Sequence, residues 1–196
     1  MGNLAVFIDG GYLEALQKHE FDVRLDVKKL VDEIQDHVEE SSADKVELLR
    51  AYYYHCRPYR SDPPTPEEMD RYSNSRRFED ALRYLPRFEV RLGHLRMSGV
   101  DESGVPIFEQ KQVDLLLGLD MALLAGKNQV QHIALVAGDG DFVPAVRVLK
   151  NEGIIVWLIH GPPQGNHGYP TYSFELFKTA DERMELDEEL IDRLLR

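Results

Sequence analysis

Apolar residues in this chain come in two kinds of run, and the order of those runs sets the expected architecture. Leu4–Ile8, Ile133–Ala137 and Ile154–Ile159 are short and uninterrupted, which predicts strands covered on both faces, as in a parallel sheet. Val46–His55, rich in β-formers such as Leu48, Leu49 and Tyr52 to Tyr54, predicts another strand, its tyrosines read as half-buried sheet residues. Phe88–Met97 alternates through Val90, Leu92, Leu95 and Met97. With a turn over 98–104 and Val105–Phe108 pairing back, it predicts a β-hairpin excursion near 88–109, either a lid or a surface ornament.

Between these lie segments of helical period. Tyr12–His19 turns Leu13 and Leu16 inward. Asp26 caps a helix to about Glu40 with Val27, Leu30, Val31, Ile34 and Val38 on one face. Ser61–Pro66 is the clearest breaker, and Thr65 caps the helix that follows to about Leu85, with Pro66, Glu67 and Glu68 in its first turn. Further helices are expected over Lys111–Ala125, from Val143 to Gly153, and over Thr171–Ala180. Within the C-terminal stretch 181–196, Asp187–Leu195 is expected to form a last amphipathic helix with Leu190, Ile191, Leu194 and Leu195 on one side, as core cover or as a face for a second copy or partner protein. Strands alternating with helices predict an α/β, doubly wound, mainly parallel sheet. The length predicts one domain over 1–196.

Composition narrows the setting. A single cysteine excludes a disulfide framework and a Cys-rich zinc site; Cys56 reads as a small buried residue. No run approaches a membrane span and the chain enters its first strand at once, so a cytoplasmic protein without a membrane is expected. The net charge of −12 argues against a generic polyanion binder. Between Arg57 and Arg96, however, nine arginines face seven acidic residues. In the helix after Pro66, Arg76 and Arg77 beside Tyr72 and Phe78 are the candidates for phosphate contacts, against a plainer reading as a solvated face paired with Glu79 and Asp80.

The chemistry sits where apolar runs stop. The first strand ends in Asp9-Gly10-Gly11, and the fourth in Gly138-Asp139-Gly140-Asp141. Open α/β sheets bind ligands at that carboxyl edge. Asp114 lies near the start of a strongly apolar helix, where it either caps the helix or joins the two turns. Asp120, six residues on, stands about 120° around that helix and is at best a secondary member. Lys111 offers a point charge to a phosphate. His160 and His167 lie in a Gly/Pro-rich loop, a poor scaffold for exact placement. Asp9, Asp114, Asp139 and Asp141 form an all-oxygen set suited to Mg²⁺ or Mn²⁺. Converging carboxylates repel unless a cation neutralises them, and such a site suits phosphodiester hydrolysis by metal-activated water.

Val6-Phe-Ile-Asp9-Gly-Gly-Tyr-Leu13, Arg91-Leu-Gly-His94, Lys111-Gln-Val-Asp114 through Asp120-Met121 and Leu135-Val-Ala-Gly-Asp139-Gly-Asp141-Phe-Val-Pro144 together resemble the NYN domain, in the LabA-like branch of the PIN-like nuclease superfamily. The resemblance implies a sheet in the order 3-2-1-4-5 and a metal-dependent endoribonuclease acting on RNA. It implies an acidic site of Asp9, Asp114, Asp139 and Asp141, with Asp120 secondary. Many members carry asparagine three residues after the first aspartate. This chain has Tyr12, which reaches metal or phosphate only through its hydroxyl. An RNA-binding adaptor with the same fold and little turnover is the alternative. A haloacid-dehalogenase-type phosphatase ranks low, because its second aspartate position is Gly11.

Overall fold

The computed structural model describes residues 2–42, 45–100 and 106–196, with the backbone alone at 96, 97, 100 and 106–111. Strand β1 (Gly2–Asp9) is the axis of the fold. Its even residues Leu4, Val6 and Ile8 pack into one core, and its odd residues Ala5 and Phe7 into the other. Side chains two apart share a sheet face, so a strand apolar at every position must be covered twice. The same alternation holds in β6 (His132–Val136) and β7 (Ile155–His160).

On the first face lie α1 (Gly10–Ala15), the π-helical turn Leu16–Phe21 that continues it, α2 (Val27–Ser42), α3 (Pro66–Arg83) and α7 (Glu188–Leu194). On the second lie α4 (Val113–Gly126), α5 (Val143–Asn151) and α6 (Phe174–Thr179). With β2 (Val46–His55), β3 (Phe88–Leu92) and β8 (Glu182–Glu185), the main sheet runs β3-β2-β1-β6-β7-β8, every pair parallel. The expected order 3-2-1-4-5 is therefore present and extended by a sixth strand. That sixth strand occupies the first part of 181–196, the stretch ascribed to a C-terminal helix, and precedes the helix expected over Asp187–Leu195. Only Met184 of the four residues is buried, too short an apolar signal to show a period. Helix α7 begins where expected, at an Asp187 cap that accepts from Leu190 N at 2.8 Å. Its Leu190, Ile191 and Leu194 are buried in the first core, so its apolar face is core cover.

Gly93 splits the run read as one strand. Residues 88–92 join the main sheet, and the hairpin is β4 (His94–Val100) against β5 (Pro106–Lys111). The excursion thus starts later than residue 88, and most of the turn expected over 98–104 falls outside the described residues. Lys111 ends β5 instead of opening α4, whose N-cap is Gln112 at φ 72°; the Lys111 side chain falls outside the described set. Helix α4 buries Leu117, Met121 and Leu124 while Leu115, Leu119 and Leu123 stay exposed, so it is an outer-layer helix and not one buried all round. The caps follow the sequence. Asp26 Oδ1 accepts from Lys28 N and Lys29 N, and Thr65 with Glu68 closes a capping box.

Candidate active site at the carboxyl edge of the sheet

Two neighbouring parallel strands, β1 and β6, deliver their aspartates by the same local device. Asp9 caps α1, its Oδ1 accepting from Gly11 N at 2.9 Å and Tyr12 N at 3.2 Å. Asp139 caps the short 3₁₀ turn Gly140–Phe142, its Oδ1 accepting from Asp141 N at 2.9 Å. In each case one oxygen holds the turn, and the other has no hydrogen-bond donor among the described residues. Glycine is required beside both. A Cβ on Gly10 would stand 2.5 Å from the Tyr54 carbonyl oxygen, and one on Gly138 would collide with the Tyr12 ring and the Thr171 carbonyl.

The four carboxylates share one electrostatic neighbourhood. Asp9 is half-buried, and burial pushes its pKa up to about 6. The amides of Tyr12 and Gly11 oppose the rise, while Asp114 and Asp139 add to it. Asp114 reaches the surface in the first turn of α4, yet its pKa is also raised, by desolvation first and then by Asp139 and Asp141. It does not cap the helix, because Gln112 holds that position. No lysine or arginine forms a salt bridge with any of the four among the described residues. Like charges brought together cost free energy that a nearby cation relieves.

As placed, no three Asp, Glu, His or Cys side chains among the described residues are close enough to enclose an ion. The donor set nonetheless fits a hard cation. Mg²⁺ gives up its waters reluctantly and is held by one or two carboxylates with the remainder of its shell supplied by water and phosphate. Asp9 and Asp139, each with an uncommitted oxygen, are the first such donors, with Asp114 and Asp141 flanking them.

The remaining candidates divide. Asp120 accepts from Tyr54 Oη at 2.7 Å and lies 3.9 Å from Arg91 Nε, so protein groups already satisfy it. Tyr12 is a strut. Its amide holds Asp9, its ring lies against Gly138, and its hydroxyl accepts from Gly161 N at 2.9 Å. The Gly161–Ser173 segment is in turn fixed by Ser173 N donating to Gly138 O at 2.7 Å and by Asn166 N donating to Glu20 Oε2 at 2.6 Å. Tyr12 therefore ties the Asp9 turn to the Asp139 turn, a role the sequence did not suggest. The alternating glycines around Asp139 were the available signal. Arg77 lines a cleft between the π-helical turn and α3, whereas Arg76 does not. Neither pairs with Glu79 or Asp80 as expected: Glu79 is held by Arg57 at 2.7 Å and Arg83 at 3.5 Å, and Asp80 by Arg83. His160 is buried among Tyr172 and Phe177, with Nδ1 2.7 Å from the Gly161 carbonyl, a packing role.

Two comparisons place this arrangement among known proteins. The chain is 26% identical over 117 residues to the uncharacterized protein y4oD of Sinorhizobium fredii, a match covering 60% of this chain and 49% of that one. The chain thus aligns with about half the length of that relative. The sequence profile of the NYN domain matches residues 3–174, from β1 to the first residue of α6, with the aspartate turns inside. The parallel sheet, the aspartates at its carboxyl edge and that match together make this chain a member of the NYN domain family, within the PIN-like nuclease superfamily.

Proposed function

We propose that this protein is a ribonuclease that hydrolyses RNA phosphodiester bonds with Mg²⁺ or Mn²⁺ at Asp9, Asp114, Asp139 and Asp141. The observation that carries the reading is Asp9, withdrawn from solvent and pushed further up by Asp114 and Asp139, with no basic side chain paired to it among the described residues. A cation, when bound, supplies positive charge for a phosphate and for the attacking water. The chain's own residues fix where that charge sits. The Gly11, Tyr12 and Asp141 amides lock one oxygen of each strand-end aspartate, and Tyr12 sets the spacing of the two turns. Asp114 adds its charge from the other helical layer, near enough to Asp139 and Asp141 for its pKa to be raised by them.

The test is cleavage of end-labelled RNA with Mn²⁺ or Mg²⁺, compared with EDTA and with Asp139→Asn and Asp114→Asn. Cleavage that chelation and both substitutions abolish supports the reading. Full cleavage in either variant removes the site. One observation favours the adaptor reading: among the described residues no three ligands enclose an ion as placed. That reading predicts RNA association with no metal-dependent products.

A further inference from the structure

The cleft between the π-helical turn and α3 has a volume of about 1040 Å³ and a lining opposite in sign to the chain as a whole. One wall carries Lys18 and Arg24, the other Arg71 and Arg77. All four are exposed, and none forms a salt bridge among the described residues. Arg77 makes only a 3.4 Å contact to Asn74 Oδ1. Against them the lining sets Glu14 and Asp22. Arg57, on the floor, is already committed to Glu79. Arg71 also acts on Glu67 and Glu68 in the first turn of its own helix, yet in a chain of net charge −12 four exposed cations without a salt bridge among the described residues concentrate anions in the cleft.

The cleft also leads to the aspartates. Tyr53, part of its floor, packs its ring on Gly10, the residue after Asp9. Glu14, on its wall, lies in the helix that Asp9 caps. The cleft wall and the Asp9 cap thus belong to one short helix, which runs from the cleft to the carboxyl edge of β1.

We propose that this cleft holds a single-stranded segment of RNA flanking the scissile phosphate, with Lys18 and Arg24 on one side and Arg71 and Arg77 on the other taking successive phosphates. A groove with cations on both walls follows one backbone at a time, the arrangement that serves single strands. A duplex presents its phosphates on a convex surface and meets only the rims. The Phe78 ring in the lining, under the Arg196 guanidinium at 5.6 Å, offers a flat partner for an unstacked base. The proposal rests on the reading of the aspartate edge as a phosphodiester site.

Fluorescence anisotropy in EDTA, with a labelled 12-nucleotide RNA free or annealed to its complement, reads binding without cleavage. The native protein is expected to bind the single strand more tightly, with affinity falling steeply as NaCl rises. Lys18→Glu/Arg24→Glu and Arg71→Glu/Arg77→Glu should each weaken binding about tenfold or more and flatten the logarithmic salt slope by about 0.7 per lost contact. Neutral Gln pairs at the same positions should fall between. Arg147→Glu, on the opposite layer, should leave affinity unchanged. Tighter duplex binding, unchanged affinity in either wall variant, or an equal loss in Arg147→Glu overturns the proposal. Failure of the catalytic reading looks different: no cleavage in Mn²⁺ while this binding pattern stays intact.

Discussion

Glu79 and Asp9 are both carboxylates that the fold draws out of water, and it treats them in opposite ways. Glu79 is fully buried under α3. Burial alone would raise its pKa, but Arg57, Ser75 and Arg83 outweigh it and hold the group below the ordinary range. Arg57 alone gives it contacts at 2.7 and 3.0 Å. Asp9 meets backbone amides and two further carboxylates, and its pKa rises to about 6. A structural acid is supplied with its base by the chain. The acid at the sheet edge meets no such base among the described residues, the deficit on which the proposed divalent cation rests.

The widest separation should appear in catalysis. Asp139→Asn is expected to lower the RNA cleavage rate on the order of 100-fold or more, measured in single-turnover reactions. Arg57→Met, at the balanced acid, should leave the rate within a few-fold. Comparable rate losses in the two variants would erase the distinction between them.

Stability should divide the other way. Arg57→Met leaves Glu79 with the Ser75 hydroxyl at 3.2 Å and the Arg83 guanidinium at 3.5 Å, and is expected to cost roughly 2–4 kcal/mol at pH 7 in urea unfolding. The Glu79 pKa is depressed in the folded state, so its contribution exists above the unfolded pKa and fades as pH falls through that range. The penalty of the variant should shrink accordingly towards pH 4.

Asp9 has the reverse sign. Its folded pKa of about 6 exceeds its ordinary value of 3.8, so between those limits the folded state binds more protons than the unfolded one. Stability of the metal-free protein falls as pH climbs through that window. Asp9→Asn should therefore raise the stability of the chelated protein at pH 7 by roughly 1–3 kcal/mol, and flatten its profile between pH 4 and 6. A substitution that destabilises equally at both pH values contradicts the assigned burial.

The smallest effect belongs to the strut. Tyr12→Phe removes the acceptor for Gly161 N and should cost about 1 kcal/mol. It keeps the ring against Gly138, so cleavage should fall much less than in Tyr12→Ala. Equal cleavage in Phe and Ala variants would show that the two turns need no tie.

Much of this was readable in residue order, for physical reasons. Strands apolar at every position, such as Leu4–Ile8, announce cover on both faces, and Asp139 and Asp141 between glycines announce a tight edge. What stayed hidden depends on partners distant in sequence. Glu79 looks like one more solvated acid among the arginines of α3, because nothing local shows Arg57 reaching it from beyond β2. Tyr12 looks like a lost polar group until the Gly161–Ser173 segment crosses it. β8 is too short for its single buried Met184 to form a period, and Gly93 divides a run whose alternation continues on both sides.

Among the described residues no lysine or arginine pairs with the four aspartates, and the proposed divalent ion would supply that charge. Titrating Mn²⁺ calorimetrically into the chelator-stripped protein at pH 7 tests it most directly. A saturable site is expected in the native chain, lost or strongly weakened in Asp9→Asn and in Asp139→Asn, and retained in Arg57→Met. Identical Mn²⁺ binding by the native protein and both aspartate variants would contradict it.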